Sequence, residues 1–141
     1  MATERDLAER LLQRARDDEA AARAMLPVQS VTDMIVGTLA QQAVEKSIKA
    51  VLSVNAVRFP FVHDIGRLAT LARDAGAPLP DDIGDIHLLT AYAGALRYDS
   101  DDPKSVDRET ALRWATAAVA WARTHVAGAA EPVAADEKTA D

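Results

Sequence analysis

Apolar residues recur at the three- and four-residue spacing of an α-helix along most of this 141-residue chain. The first such stretch begins at Leu7 and continues as far as Pro27, with arginines and acidic residues between its leucines and alanines. Alternating runs of β-branched residues, which would indicate strands, are almost absent. The sequence therefore predicts an all-α fold, and the short connections favour an antiparallel bundle of about five helices.

Prolines, glycines and acidic residues predict where these helices begin and end. The expected segments are a first helix ending near Pro27, then 31–54, 63–75 and 81–97, and a last helix from about 105. The fourth is expected to start at Asp81-Asp82, whose carboxylates suit the positive end of the helix dipole, and to point Ile86, Leu89, Tyr92 and Leu96 inward. Residues 1–126 are predicted to form the bundle. Residues 127–141 have no periodicity and few large apolar groups, so we expect a disordered, acidic and alanine-rich tail.

Composition excludes some classes of site and disfavours some classes of protein. The chain has no cysteine, which excludes disulfides, thiolate nucleophiles and cysteine-based zinc or iron–sulfur sites. A net charge of −6 and an aromatic content of 4% disfavour a protein that coats nucleic acid nonspecifically. The charged N-terminal stretch lacks the apolar core of a secretory signal, and no apolar run approaches the length of a membrane span. We expect a cytoplasmic protein.

The middle of the second helix is unusually polar. "LAQQAVEKSIKAVL" places Gln41, Gln42, Glu45, Lys46 and Lys49 near the face where the apolar stripe predicts leucine or valine. One interpretation is a solvated side of a long helix, with Glu45 and Lys49 as an i,i+4 ion pair. The other is the polar wall of a groove that faces the third helix.

The third helix is expected to open with the pair His63-Asp64. A metal-binding His-Asp pair needs another histidine upstream, and His63 is the first histidine in the chain. We therefore predict no metal site and no cofactor. The simpler interpretation is that His63 or Asp64 caps the helix and accepts hydrogen bonds from its free backbone N–H groups.

A third polar stretch, "ALRYDSDD", closes the predicted fourth helix. The guanidinium of Arg97 is able to reach the second helix or bind a phosphate. It is equally suited to capping the last carbonyls of its helix, and Tyr98 to packing.

Together, the polar "QQAVEKSIKAVL" helix, the "HDIGRL" helix start, a Gly/Pro/Asp break and a helix ending in "LRYD" resemble the HEPN domain. The resemblance spans about Leu7 to Val126 and is closest to the nucleotidyltransferase-associated, prokaryotic branch of the family. It implies a small all-α bundle that dimerises, binds nucleotides and partners a separate or fused nucleotidyltransferase. It also implies a toxin–antitoxin or defence setting.

Some branches of this family cut RNA without metal, using an Arg followed by four to six residues and a His. After Arg97 the chain continues "YDSDDPK" and has no such histidine. Arg58 and His63 satisfy the count, but across a connection that contains Pro60. The motif is thus not convincingly present, and we expect a binding module rather than an enzyme.

Three hypotheses follow. The first is a homodimeric nucleotide-binding and interaction module, with Lys49, His63 and Arg97 facing phosphate and Gln42 and Tyr98 beside them. The second is a metal-independent ribonuclease that uses Arg97 or Arg58 with His63. The third is a helical scaffold without ligand, which would dimerise through Trp114 and Trp121. RNA is a further expected ligand of the first two, and a membrane is not.

Overall fold

The computed structural model describes residues 3–60, 64–92 and 106–129. Its elements within these ranges are α1 (Glu4–Met25), α2 (Asp33–Val54), α3 (Ile65–Asp74), a 3₁₀ helix (Ile86–Tyr92) and α4 (Arg108–Gly128). These described residues contain no β-strand. The prediction of an all-α fold is confirmed. None of these helices is both long and apolar enough to cross a membrane.

Each α-helix begins at a polar residue whose side chain accepts a hydrogen bond from a backbone N–H in the first turn. The capping residues are Thr3, Thr32, Asp64 and Asp107. Asp64 accepts from the N–H of Arg67 at 3.2 Å, so the predicted capping role of the His63-Asp64 pair is confirmed for Asp64.

Alanines form the inner face of α1. Ala8, Ala15 and Ala22 are spaced by seven residues, and each is fully buried at 0% exposure. Seven residues are about two helical turns, so these alanines lie on one stripe. Because alanine projects only a methyl group, α1 is able to pack closely against α2.

Two clusters establish the direction of the helices. Near one end of the bundle, Ala8 of α1 packs with Ala50 of α2 and Val126 of α4. Near the other end, Ala22 packs with Val36 and Leu112. The start of α1 therefore meets the ends of α2 and α4, so α1 runs antiparallel to both, and α2 and α4 run parallel. α2 is central and packs against α1, α3, α4 and the 3₁₀ helix.

The fourth predicted helix differs from expectation where the structure describes it. Residues 81–83 form a turn, and the regular segment begins at Ile86 as a 3₁₀ helix. Asp85 Oδ1 accepts from the backbone N–H of His87 at 3.1 Å, next to the start of this segment. Gly84 lies against the Trp114 ring, where a Cβ would come within 2.8 Å of the indole. The count of five α-helices is thus not confirmed.

The predicted inward face of that segment is nevertheless correct at Ile86, Leu89 and Tyr92, which are buried. In α4, Trp114 and Trp121 are also buried in the main core, at 8% and 9% exposure. Both indoles pack inside a single chain and keep little exposed surface, so they have little area to offer to the dimer contact of the scaffold hypothesis. α4 ends at Gly128, and residues 130–141 of the predicted tail lie outside the described residues.

Candidate functional site

A row of hydrogen-bonded polar side chains runs along α2. Gln41 Nε2 donates to Glu45 Oε1 at 2.9 Å, and Lys49 Nζ donates to Glu45 Oε2 at 2.8 Å. Gln41 and Glu45 are 2% and 6% exposed. With Ser53, one step further along the four-residue spacing, these residues form what we call the polar row.

The four-residue spacing explains the row, because side chains at i and i+4 are neighbours on a helix surface. The ion pair that the sequence suggested between Glu45 and Lys49 is present, but it is not a solvated one. The two side chains are only 7% and 13% exposed. Burial of two charges is tolerated when they pair and when the remaining polar atoms find partners.

The polar row leads into a groove where the start of α1 meets the end of α2 and the connection after it. The groove encloses about 600 Å³. Leu7, Leu11 and Val57 supply an apolar wall, Lys49 and Arg58 supply cations, and Glu4 supplies one acid. Lys49 Nζ also lies 5.7 Å from the centroid of the Phe59 ring. At this distance a cation and an aromatic ring attract each other.

Two groups in the groove offer free hydrogen-bonding capacity. Arg58 is exposed, and its guanidinium has no acidic partner in the described part of the chain. Ser53 is 4% exposed, and its Oγ is buried without a hydrogen-bond partner among the described residues. A free guanidinium binds phosphate or carboxylate oxygens with two parallel hydrogen bonds. The groove is therefore suited to a ligand with an apolar or aromatic body and an anionic group.

The structure brings together only some of the residues that the sequence suggested. Lys49 and Arg58 line the same groove. Gln42 is half-buried and makes no hydrogen bond to the described residues. Its neighbour Gln41 is the glutamine whose side-chain amide donates to Glu45 in the polar row. His63, Arg97 and Tyr98 lie outside the described residues.

Sequence reasoning missed the contributions of Ser53 and Phe59 to the groove. The spacing 41–45–49–53 was the available signal for Ser53. No comparable signal exists for Phe59, because its position depends on the path of an irregular connection. Across the residues that are described, no group of three or more histidine, aspartate or glutamate side chains is arranged to hold a metal ion.

The helical arrangement agrees with a comparison to known protein families. Residues 8–125 match the family model described as HEPN domain. The chain belongs to the HEPN family. No curated protein and no solved structure gives a significant match.

Membership of this family identifies the chain, at family level, as a nucleotide- or RNA-related module. HEPN domains often form dimers. The match begins at Ala8 and ends at His125, so it includes the whole of α2 and nearly all of α1 and α4. The polar row and most of the groove thus lie within the HEPN domain itself.

Proposed function

We propose that this HEPN domain is a nucleotide-binding and interaction module that forms a homodimer and partners a nucleotidyltransferase in a toxin–antitoxin or defence system. The observation that carries the proposal is the groove at the end of α2. There a free guanidinium, a lysine and an aromatic ring meet beside an apolar wall.

Each part of the groove matches a part of a nucleotide. The phosphates are bound by Arg58 and by Lys49, whose ammonium group keeps donor capacity beyond its bond to Glu45. The base and ribose lie against Phe59 and the apolar wall of Leu7 and Leu11. Glu45 positions Lys49, and Gln41 positions Glu45 from the other side. His63, Arg97, Gln42 and Tyr98 complete the proposed set of ligand-facing residues.

The test is ATP binding, measured by titration calorimetry and by thermal stabilisation. Arg58→Ala is the informative variant, because Arg58 is exposed and supports no described contact, so the fold should be unaffected. We expect this variant to weaken binding about tenfold, the loss of one charge-assisted contact. Arg14→Ala, exposed on α1 outside the groove, is the matched control. Equal ATP affinity in wild type and Arg58→Ala would remove the groove as the nucleotide site.

The dimer and the nucleotidyltransferase need separate measurements. Light scattering on the eluting protein gives its mass against the 15.1 kDa of one chain. Co-purification with a co-expressed nucleotidyltransferase tests the partner. A protein that binds neither ATP nor a nucleotidyltransferase would instead favour the ligand-free scaffold.

Metal-independent RNA cleavage is the second candidate function. It is favoured by Arg58, which is exposed, has no ion-pair partner among the described residues and lies five residues before His63 in the sequence. Its test is incubation with defined RNA oligonucleotides in EDTA, using wild type and the Arg58→Ala, Arg97→Ala and His63→Ala variants. Cleavage that His63→Ala and either arginine variant abolish would establish this activity in place of simple binding.

A further inference from the structure

A second charged cleft lies on the opposite side of α1, along its seam with α4. It encloses about 350 Å³. Three arginines and one acid line it, namely Arg5, Arg16, Arg123 and Glu9, together with Leu12, Gln13, Val126 and Ala127. None of these residues belongs to the groove described above.

The register of the two helices determines which side chains meet across this seam. Arg23 of α1 donates from Nη2 to Thr116 Oγ1 of α4 at 2.8 Å. Arg16 lies seven residues before Arg23, and Arg123 lies seven residues after Thr116. Seven residues are two turns, about 10.5 Å along either helix. Because the helices are antiparallel, Arg16 and Arg123 stand at the same level and on the same seam.

Acids neutralise the arginines on either side of this level. Arg23 pairs with Glu19, which also accepts a hydrogen bond from Thr116 Oγ1 at 2.9 Å. Towards the other end, Arg5 pairs with Glu9 at 3.1 Å and donates to the carbonyl of Val126 at 3.0 Å. Each of these guanidinium groups therefore has a partner of opposite charge.

Arg16 and Arg123 are different. Both are exposed, and neither forms an ion pair or side-chain hydrogen bond with any described residue. Two like charges at one level of a helix seam repel each other. A bound anion would attract both guanidinium groups and so offset their mutual repulsion. The planar guanidinium groups are suited to oxygen atoms of a tetrahedral anion.

From this placement we propose that the seam between α1 and α4 binds a small phosphorylated anion, held between Arg16 and Arg123. Gln13 borders the same cleft. Its Nε2 donates to Asp17 Oδ1 at 3.0 Å, so the Asp17 carboxylate already has a hydrogen-bond partner. Leu12 and Val126 form the apolar floor. The site is independent of the groove and of the function proposed for it.

The experiment uses pyrophosphate as the probe, measured by titration calorimetry with the full chain, against sodium chloride of equal ionic strength. We expect Arg16→Gln and Arg123→Gln each to weaken pyrophosphate binding about tenfold. Arg14→Gln, which removes an exposed charge of α1 outside the cleft, should bind as wild type does. Similar weakening by Arg14→Gln would show a general charge effect and overturn the proposal.

A second readout distinguishes a binding role from a structural one. Without pyrophosphate, Arg16→Gln should raise the Tm by ~1–2 °C, because it removes the repulsion. With pyrophosphate, the same variant should lose the stabilisation that wild type gains. An Arg16→Gln protein with lower Tm in both conditions would show that Arg16 stabilises the fold and would contradict the proposal.

Arg58→Ala separates this cleft from the nucleotide groove. Pyrophosphate binding that keeps its strength in Arg58→Ala and weakens about tenfold in Arg16→Gln supports the cleft, whatever the outcome for ATP. Pyrophosphate binding that disappears only in Arg58→Ala would place the anion in the groove and exclude the cleft.

Discussion

Lys49 Nζ donates to Glu45 Oε2 at 2.8 Å on a face of α2 where both side chains are largely withdrawn from solvent. Removal of Lys49 takes this ion pair from Glu45, whose carboxylate is only 7% exposed and is therefore poorly solvated. We therefore expect Lys49→Met to lower the free energy of unfolding by about 2–4 kcal/mol. Urea denaturation at neutral pH measures this change.

Two comparisons identify the loss of this buried ion pair as the cause. Glu45→Gln in the Lys49→Met background should recover part of the lost stability, because the amide carries no charge. Arg73→Met removes one member of an exposed pair with Asp74, whose side chains are both 66% exposed, and should cost under about 1 kcal/mol. Equal losses for Lys49→Met and Arg73→Met would contradict the burial argument.

The alanine stripe of α1 predicts a strong response to larger side chains. Ala15→Leu inserts three carbon atoms at a site with 0% exposure, in the main core. Since α1 has to move away from α2 to admit them, we expect a loss of about 1–3 kcal/mol in unfolding free energy. Ala20→Leu, at an exposed position of the same helix, should change stability by less than about 0.5 kcal/mol. Thermal and urea unfolding of both variants test this difference.

Gly37 and Gly128 give a matched pair of glycine substitutions. A Cβ at Gly37 would overlap the Tyr92 ring, whereas no atom of the described residues lies within 4 Å of one at Gly128. Gly37→Ala should therefore displace Tyr92, whose hydroxyl donates to the carbonyl of Val106, and destabilise the protein by about 1–3 kcal/mol. Gly128→Ala should be neutral or slightly stabilising. Comparable unfolding midpoints for the two variants would refute the close approach of Tyr92.

Asp107 links stability to pH through the start of α4. Hydrogen bonds from the side chain and backbone of Thr110 hold the pKa of Asp107 below its ordinary value. A carboxylate with a lowered pKa in the folded state stabilises the fold above its unfolded pKa, and this contribution disappears as the pH falls through the lowered pKa. Asp107→Ala should therefore cost about 1 kcal/mol at neutral pH and less in strong acid.

The measurement is a series of urea unfolding midpoints from neutral pH into the acid range. Asp107→Asn keeps a capping oxygen without the titrating group, so it should retain stability and lose this part of the pH dependence. A constant difference between wild type and Asp107→Ala at every pH would show that protonation of Asp107 has no effect.

Local chemistry in the sequence was sufficient to identify several features of the fold. Asp64 was recognisable as a cap because a carboxylate before an apolar helical run accepts backbone hydrogen bonds. The inward positions Leu89 and Tyr92 followed from helical spacing, which holds approximately for a 3₁₀ helix as well. The expected α-helical start at Asp81 was wrong, because the pattern did not reveal that Gly84 packs against Trp114.

The candidate site was less accessible to sequence reasoning. The pattern identified Lys49 and Arg58 as candidates but selected Gln42, whereas Gln41 donates to Glu45. Adjacent residues on a helix differ by about 100° in direction, so the choice depends on where the neighbouring helices lie. Nothing local indicates that Glu45 is 6% exposed or that Phe59 returns to Lys49.

By itself the sequence determined the helical class, three polar stretches and the resemblance to the HEPN family, because these depend on spacing, composition and order along the chain. The tertiary structure decided which charges are buried and which remain without partners. Arg16 and Arg23 are both arginines of α1, seven residues apart, and only the second meets Glu19 and Thr116. That difference arises from the antiparallel register of α1 and α4, a long-range relationship that no local pattern encodes.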